Sequence, residues 1–156
     1  MTPTKLQDSL VEDFKQQLAG FLLKNAKGDR VNLNIYPQNL PAKKGQKDSE
    51  HFPYLVVRVM EGENQDDQEE EKNTCKIAFI IGAYDDDDSY QGYKDVMNVI
   101  EKIMQRLKTK KFYSNQFELT LPLKWLIHDE DTYPYYFGGI ETHWNIPNIG
   151  MDDLLI

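Results

Sequence analysis

A chain of 156 residues that is 40% hydrophobic is long enough for one domain with a real core, while 28% charged residues leave long polar segments over. A net charge of -8 and a pI near 4.9 exclude a nucleic-acid reader, which neutralises phosphates with Lys and Arg. Acidic walls repel phosphate, as a conduit for passing DNA requires. No apolar run approaches the roughly 20 residues that cross a bilayer.

Met1-Thr2-Pro3-Thr4-Lys5 carries no apolar signal-peptide core, so a protein made and working in a reducing cytosol is expected. Thr4-Lys5-Leu6-Gln7 reads as a capping box, with Thr4 as N-cap and Gln7 reaching back. Leu10, Phe14, Leu18, Phe21 and Leu22 then predict one amphipathic helix ending near Gly28, with Lys24 and Lys27 at the negative end of its dipole.

Residues 31–36 alternate and predict a strand, closed by Pro37. Residues 38–52 hold Pro41, Gly45 and three lysines with little apolar matter, a long loop of the kind that is functional or disordered. Pro53 introduces a second strand over 54–60. Residues 61–71 carry Glu61, Glu63, Asp66, Asp67, Glu69, Glu70 and Glu71 before any positive charge. Repulsion predicts a mobile hairpin loop over 61–73, read either as a solvated connection or as an interaction arm that orders on assembly.

In residues 75–84, Ile77, Phe79 and Ile81 point one way and Ala78 and Ile80 the other, which predicts a central strand covered on both faces. Cys75, the single cysteine, has no internal disulfide partner, and burial should raise its pKa and make it inert. Beyond four aspartates, Tyr93, Val96, Met97, Ile100, Ile103, Met104 and Leu107 mark a second amphipathic helix. Residues 117–127 give the cleanest period-two signal, Phe117, Leu119, Leu121, Leu123, Trp125 and Ile127 sharing a face, with Pro122 requiring an edge or a bulge. Residues 139–146 predict the last strand. The connection 128–138 is acidic, then aromatic, and Gly138-Gly139 reads as a bulge or strand start. The tail 148–156 ends in Leu154, Leu155 and Ile156, which either tuck into the core or dock on a neighbour.

The expected fold is α+β, a mainly antiparallel sheet of about five strands with two helices on one face, in the order α-β-β-β-α-β-β. Residues 1–156 form one domain in this reading, with a long loop at 37–53, the acidic loop at 61–73 and the tail at 147–156.

Chemistry is sparse. His51, His128 and His143 lack metal-ligand spacing, and no glycine-rich phosphate cradle or nucleophile elbow is present. A calcium loop starting at Asp87 would place Gly92 correctly but Asn98 where a glutamate is needed. The plainer reading is that Asp85 to Asp88 favour the positive end of the second helix, with Asp88 or Ser89 as N-cap. His128 with Asp129, Glu130 and Asp131 could be written as an acid–base group, but acids in a turn between strands are common. Neither catalytic residues nor metal or cofactor ligands are assigned. Tyr133, Tyr135, Tyr136 and Phe137, with Trp125 and Trp144, are core caps or interface anchors.

Pro53-Tyr54-Leu55-Val56-Val57, an acidic hairpin, the strand 76–84, the helix 92–107, the acidic turn 128–131 and the strand 138–144 follow one another. With Phe52-Pro53-Tyr54 and Tyr133-Pro134-Tyr135-Tyr136-Phe137-Gly138-Gly139 ahead of strands, this order resembles the tail terminator and minor tail proteins of long-tailed bacteriophages and prophages. The resemblance implies a non-enzymatic structural protein of the virion, at the tail–head junction, assembled in the host cytoplasm. It implies a homo-oligomer, a hexameric ring that ends the tail tube, stops tube polymerisation and binds a head-completion or neck protein. DNA would pass the lumen unbound, and no membrane is involved. The loop 38–52 and the tail are longer than in the simplest members. The rival reading is an acidic phage-encoded inhibitor or DNA mimic docking on a basic host partner. A small enzyme or metal-binding domain is the third.

Overall fold

The computed structural model describes residues 2–42, 48–66 and 71–146. Helix α1 spans Pro3–Gln17 and starts earlier than the capping box suggests. Thr2, not Thr4, is the N-cap: its hydroxyl accepts from the Lys5 N–H at 3.4 Å, and Pro3 fits the first turn because the N–H it lacks would be unpaired there. Gln7 does not reach back. Its side-chain amide is buried and donates to the Val57 carbonyl at 2.8 Å and to Gln38 Oε1 at 3.0 Å, pinning α1 to the sheet.

The helix also stops well short of Gly28. Leu18 caps it, and Gly20 at φ +84 takes the left-handed conformation that turns the chain away. Phe21 and Leu22 continue the helical spacing only by coincidence. Leu22–Lys24 is instead strand β1, antiparallel to β2 at Arg30–Asn32. The turn between them is held by Asn25, whose Oδ1 accepts from the N–H groups of Lys27 and Asp29. The strand predicted over 31–36 is thus two: β2, and β3 at Asn34–Pro37.

Strand β3 runs parallel to β4 (Tyr54–Asp66), and a parallel pair needs a crossover, which explains the long segment between them. Its described part ends in a 3-10 turn at Asp48–His51. Strand β4 pairs antiparallel with β5 (Glu71–Tyr84) from Tyr54↔Gly82 to Asp66↔Glu71, bulged at Met60. The expected mobile loop from Glu61 is therefore strand as far as Asp66. Glu61 finds Lys76 across the pair at 3.5 Å, and Glu63 stands opposite Thr74 rather than another acid. Residues 67–70 lie outside the described residues.

Helix α2 (Tyr93–Thr109) follows, then β6 (Phe112–Tyr113), β7 (Phe117–Ile127) and β8 (Tyr135–Asn145). The main sheet has six strands in the order β3-β4-β5-β8-β7-β6, with β5 inside it as its sequence foretold, and β1-β2 form a separate ribbon. The α+β class and two helices stand; the strand count is eight rather than about five, because β1, β6 and the β2/β3 division were not anticipated. Residues 135–137 belong to β8 rather than to its preceding connection, so Gly138-Gly139 is strand interior. A Cβ on Gly138 would lie 2.6 Å from a Val96 methyl, so this glycine lets α2 approach the sheet. Pro122 does sit in a bulge: Thr120 opposes His143 and Lys124 opposes Glu141, so β7 carries two extra residues and its facing parity is kept.

Both helices bury their apolar stripes on one sheet face. Leu6, Leu10 and Phe14 of α1 and Val96, Ile100 and Ile103 of α2 share a core with Leu55, Val57, Ile77, Phe79 and Ile81. Phe14 meets Phe79 edge-on at 5.4 Å. The helices are tied by Asp13, which accepts from Arg106 Nε and Nη2 at 3.0 and 2.8 Å and from the Tyr113 hydroxyl at 2.7 Å. Burial pushes the Asp13 carboxyl up, but these donors outweigh it and hold it below the usual carboxylate range. Burial alone pushes the Cys75 thiol up to about 11. Among the described residues no helix is long and apolar enough to cross a membrane. The tail 147–156 lies outside them.

Candidate interaction surfaces

The second sheet face is built differently at its two ends. Strand register puts Tyr54, Val56, Ile80, Gly82 and Tyr84 on it, and Phe52, delivered by the β3–β4 crossover, closes over that end. Phe52 lies 4.9 Å from the Tyr54 ring, 4.8 Å from Tyr135 and 5.9 Å from Phe137. Gly82 leaves room for the Tyr54 ring, whose carbons would come within 2.3 Å of an added Cβ. Among the described residues, the central strand is thus covered on both faces only at this end.

Toward Cys75 no described residue covers the second face. A trough of about 540 Å³ runs there, with Ala78 and Gly139 among its lining and Met60, Ile80, Leu126 and Phe137 around them. Met60 and Leu126 are 52% and 64% exposed. An ionic row crosses three strands beside it. Lys76 Nζ lies 3.0 Å from Glu141 and 3.5 Å from Glu61, and His143 Nε2 lies 3.2 Å from Glu141. The Lys76 hydrogen bond holds the Glu141 carboxyl below its ordinary range. Lys124 is exposed and has no ion pair among the described residues. This surface was not legible in the sequence, since an apolar strand reads the same whether its second face is covered or not; the alternation of Lys76 and Ala78 with bulky residues was the available sign.

The acidic arm is the second surface. Glu61 and Glu63 stand on β4 and are exposed. Asp66 and Glu71 are the last paired backbone positions, and Asp67, Glu69 and Glu70 lie outside the described residues.

The aromatic residues separate by their packing. Tyr135 and Phe137 are half-buried against Phe52. Tyr136 turns to the helix side, where Gly92 makes room for it, and its buried hydroxyl has no hydrogen-bond partner among the described residues. Tyr133 is presented, 36% exposed, its ring 4.8 Å from that of Tyr90 and its hydroxyl donating to the Asp86 carbonyl. Tyr90, 49% exposed and at φ 59, is a surface aromatic that the sequence did not single out.

That contact joins two acidic turns. Asp85 Oδ1 accepts from the Asp87 N–H and Asp87 Oδ1 from the Ser89 N–H, while Lys24 lies 2.7 Å from Asp86. Neither Asp88 nor Ser89 caps α2; its N-cap is Gly92, without a side-chain bond. Asp131 accepts from the Tyr133 N–H, and His128 lies 3.9 Å from Glu130 with both exposed. Among the described residues no group of three or more His, Cys, Asp or Glu side chains is placed to hold a metal ion. No protein-family model matches the chain, and no curated protein matches it.

Proposed function

We propose that the protein is a structural subunit of a phage tail: copies form a ring, hexameric by the resemblance, that ends the tail tube, stops its polymerisation and offers the surface for head or neck attachment. The observation that carries this reading is the half of the second sheet face that no described residue covers. Apolar side chains exposed together beside an ionic row are what a subunit buries against a neighbour, and a ring closes by repeating one such head-to-tail contact. The acidic β4–β5 arm supports a role toward the tube or lumen, where it repels DNA rather than holding it. Its partners in this reading are further copies, the tube protein and a head-completion or neck protein, and its place is the virion.

Electron microscopy of lysates from a phage with an early stop codon in this gene tests it. Overlong tubes without heads are expected. Normal-length tails separate from full heads would move the protein to the joining step, and intact infectious particles would discard the structural role. One observation favours a second reading: the Tyr133–Asp86 contact brings two acidic turns together, as an inhibitor of a basic host partner would need. Capture of a host nucleic-acid-binding protein together with a failure to form rings would favour it.

A further inference from the structure

The six-stranded sheet is closed along only half of each edge. On one side β3 pairs with β4 over Tyr54–Val57, and the Gln38 side chain ends that pairing. Its Oε1 accepts from the Val59 N–H at 3.0 Å, and its Nε2 donates to the Val59 carbonyl at 3.1 Å. Among the described residues none bonds the outer backbone edge of β4 from Met60 to Asn64. On the other side β6 pairs only with Phe117 and Glu118, and the Leu119 N–H donates to the Lys111 carbonyl at 2.8 Å. Past the bulge, Lys124 to Ile127 pair with β8 and with no other described strand. Unpaired backbone edges bind strands, and those meant to stay single are blunted by charge. Here Trp125 and Leu126 are apolar and exposed.

We propose that the open half of β7 receives the open half of β4 from a second copy, continuing the sheet from subunit to subunit. This rests on the ring reading, whose head-to-tail contact it specifies. Three observations match the two edges. The open halves lie at diagonally opposite corners, since Glu61 is level with Thr120 and Lys124 with Arg58. Strands β4 and β7 run antiparallel within one sheet, so a copy in the same orientation presents β4 to β7 in antiparallel sense. Charge is complementary: Glu61 and Glu63 are exposed on β4, and Lys124 is exposed on β7 without an ion pair among the described residues. All three stand on the second sheet face, so parity brings them together. With Lys124 opposite Glu63 of the second copy, Trp125 meets Gly62, which has no side chain to obstruct it.

Mixing two full-length variants, Lys124→Cys and Glu63→Cys, under mild oxidation tests this, because residues directly opposite on paired strands are within disulfide reach. Cys75 stays silent in its buried strand. A covalent dimer is expected in the mixture and in neither variant alone. The control mixture of Glu130→Cys, also exposed, with Glu63→Cys should stay unlinked. Dimers of Lys124→Cys alone would mean that β7 meets β7, and equal rates in both mixtures would mean chance collision; either overturns the proposal. Electron microscopy of the same samples separates it from the ring reading. Rings without the mixed link would discard the joint and keep the ring, while the mixed link in open filaments would do the reverse. Neither link nor rings would remove both.

Discussion

The two faces of one six-stranded sheet contrast in what their strands were built to meet. On the helix side, alternate residues of β4 and β5, among them Leu55, Val57, Ile77, Phe79 and Ile81, are apolar and buried in the core that the two helices share. On the other side the same strands carry Arg58, Lys76 and Ala78, and among the described residues cover is given only at the end where Phe52 lands. The first face accounts for stability. Part of the second is covered by no described residue, and that division is what the assembly proposal rests on.

The contrast can be broken first at its strongest point. Phe79→Ala, under both helices, should cost about 3–5 kcal/mol, read as a fall in the urea midpoint. Asp13→Asn removes the negative charge and one of the two acceptor oxygens that serve Arg106 and Tyr113, and should cost about 2–3 kcal/mol by the same measurement. The pH dependence has a definite sign. The folded Asp13 pKa lies below its ordinary value of 3.8, so the unfolded chain binds the proton more readily. Its stabilisation is present above that value and is lost as pH falls through the folded pKa. Wild type should therefore lose stability below about pH 4 more steeply than Asp13→Asn; equal acid limbs would remove Asp13 from the account.

On the second face the effects shrink. Gly82→Ala sets a methyl against the Tyr54 ring and should cost about 1–3 kcal/mol in thermal or urea unfolding. Leu126→Asp, at the uncovered end, should change stability by no more than about 0.5 kcal/mol. A large loss there would mean that the trough is core, and the contrast between the faces would fail.

Legibility in the sequence followed the same division. Strand β5 inside the sheet, helix α2 and β7 with its Pro122 bulge were readable because a single periodicity governed each. The α1 terminus was misread because Phe21 and Leu22 happen to keep helical spacing beyond Gly20, a residue whose left-handed φ outweighs that pattern. The acidic arm was misread because charge was counted along the chain, whereas a strand sets successive side chains on opposite faces and gives Glu61 a lysine across the ladder. Of the aromatic cluster, composition could name Tyr133, Tyr135, Tyr136 and Phe137 but not sort them. That sorting depends on Phe52, which is distant in sequence, and on Gly92. The trough depends on the absence of a covering element among the described residues, which no local pattern encodes.

The most direct test of the proposed assembly face places purified wild type and Leu126→Asp with growing tail tubes and follows tube length by electron microscopy. Wild type should sit as rings on tube ends and arrest growth. The variant, equally folded by circular dichroism, should leave the tubes bare and lengthening. Arrest by both proteins alike would mean that the uncovered sheet face is not what the ring is made from.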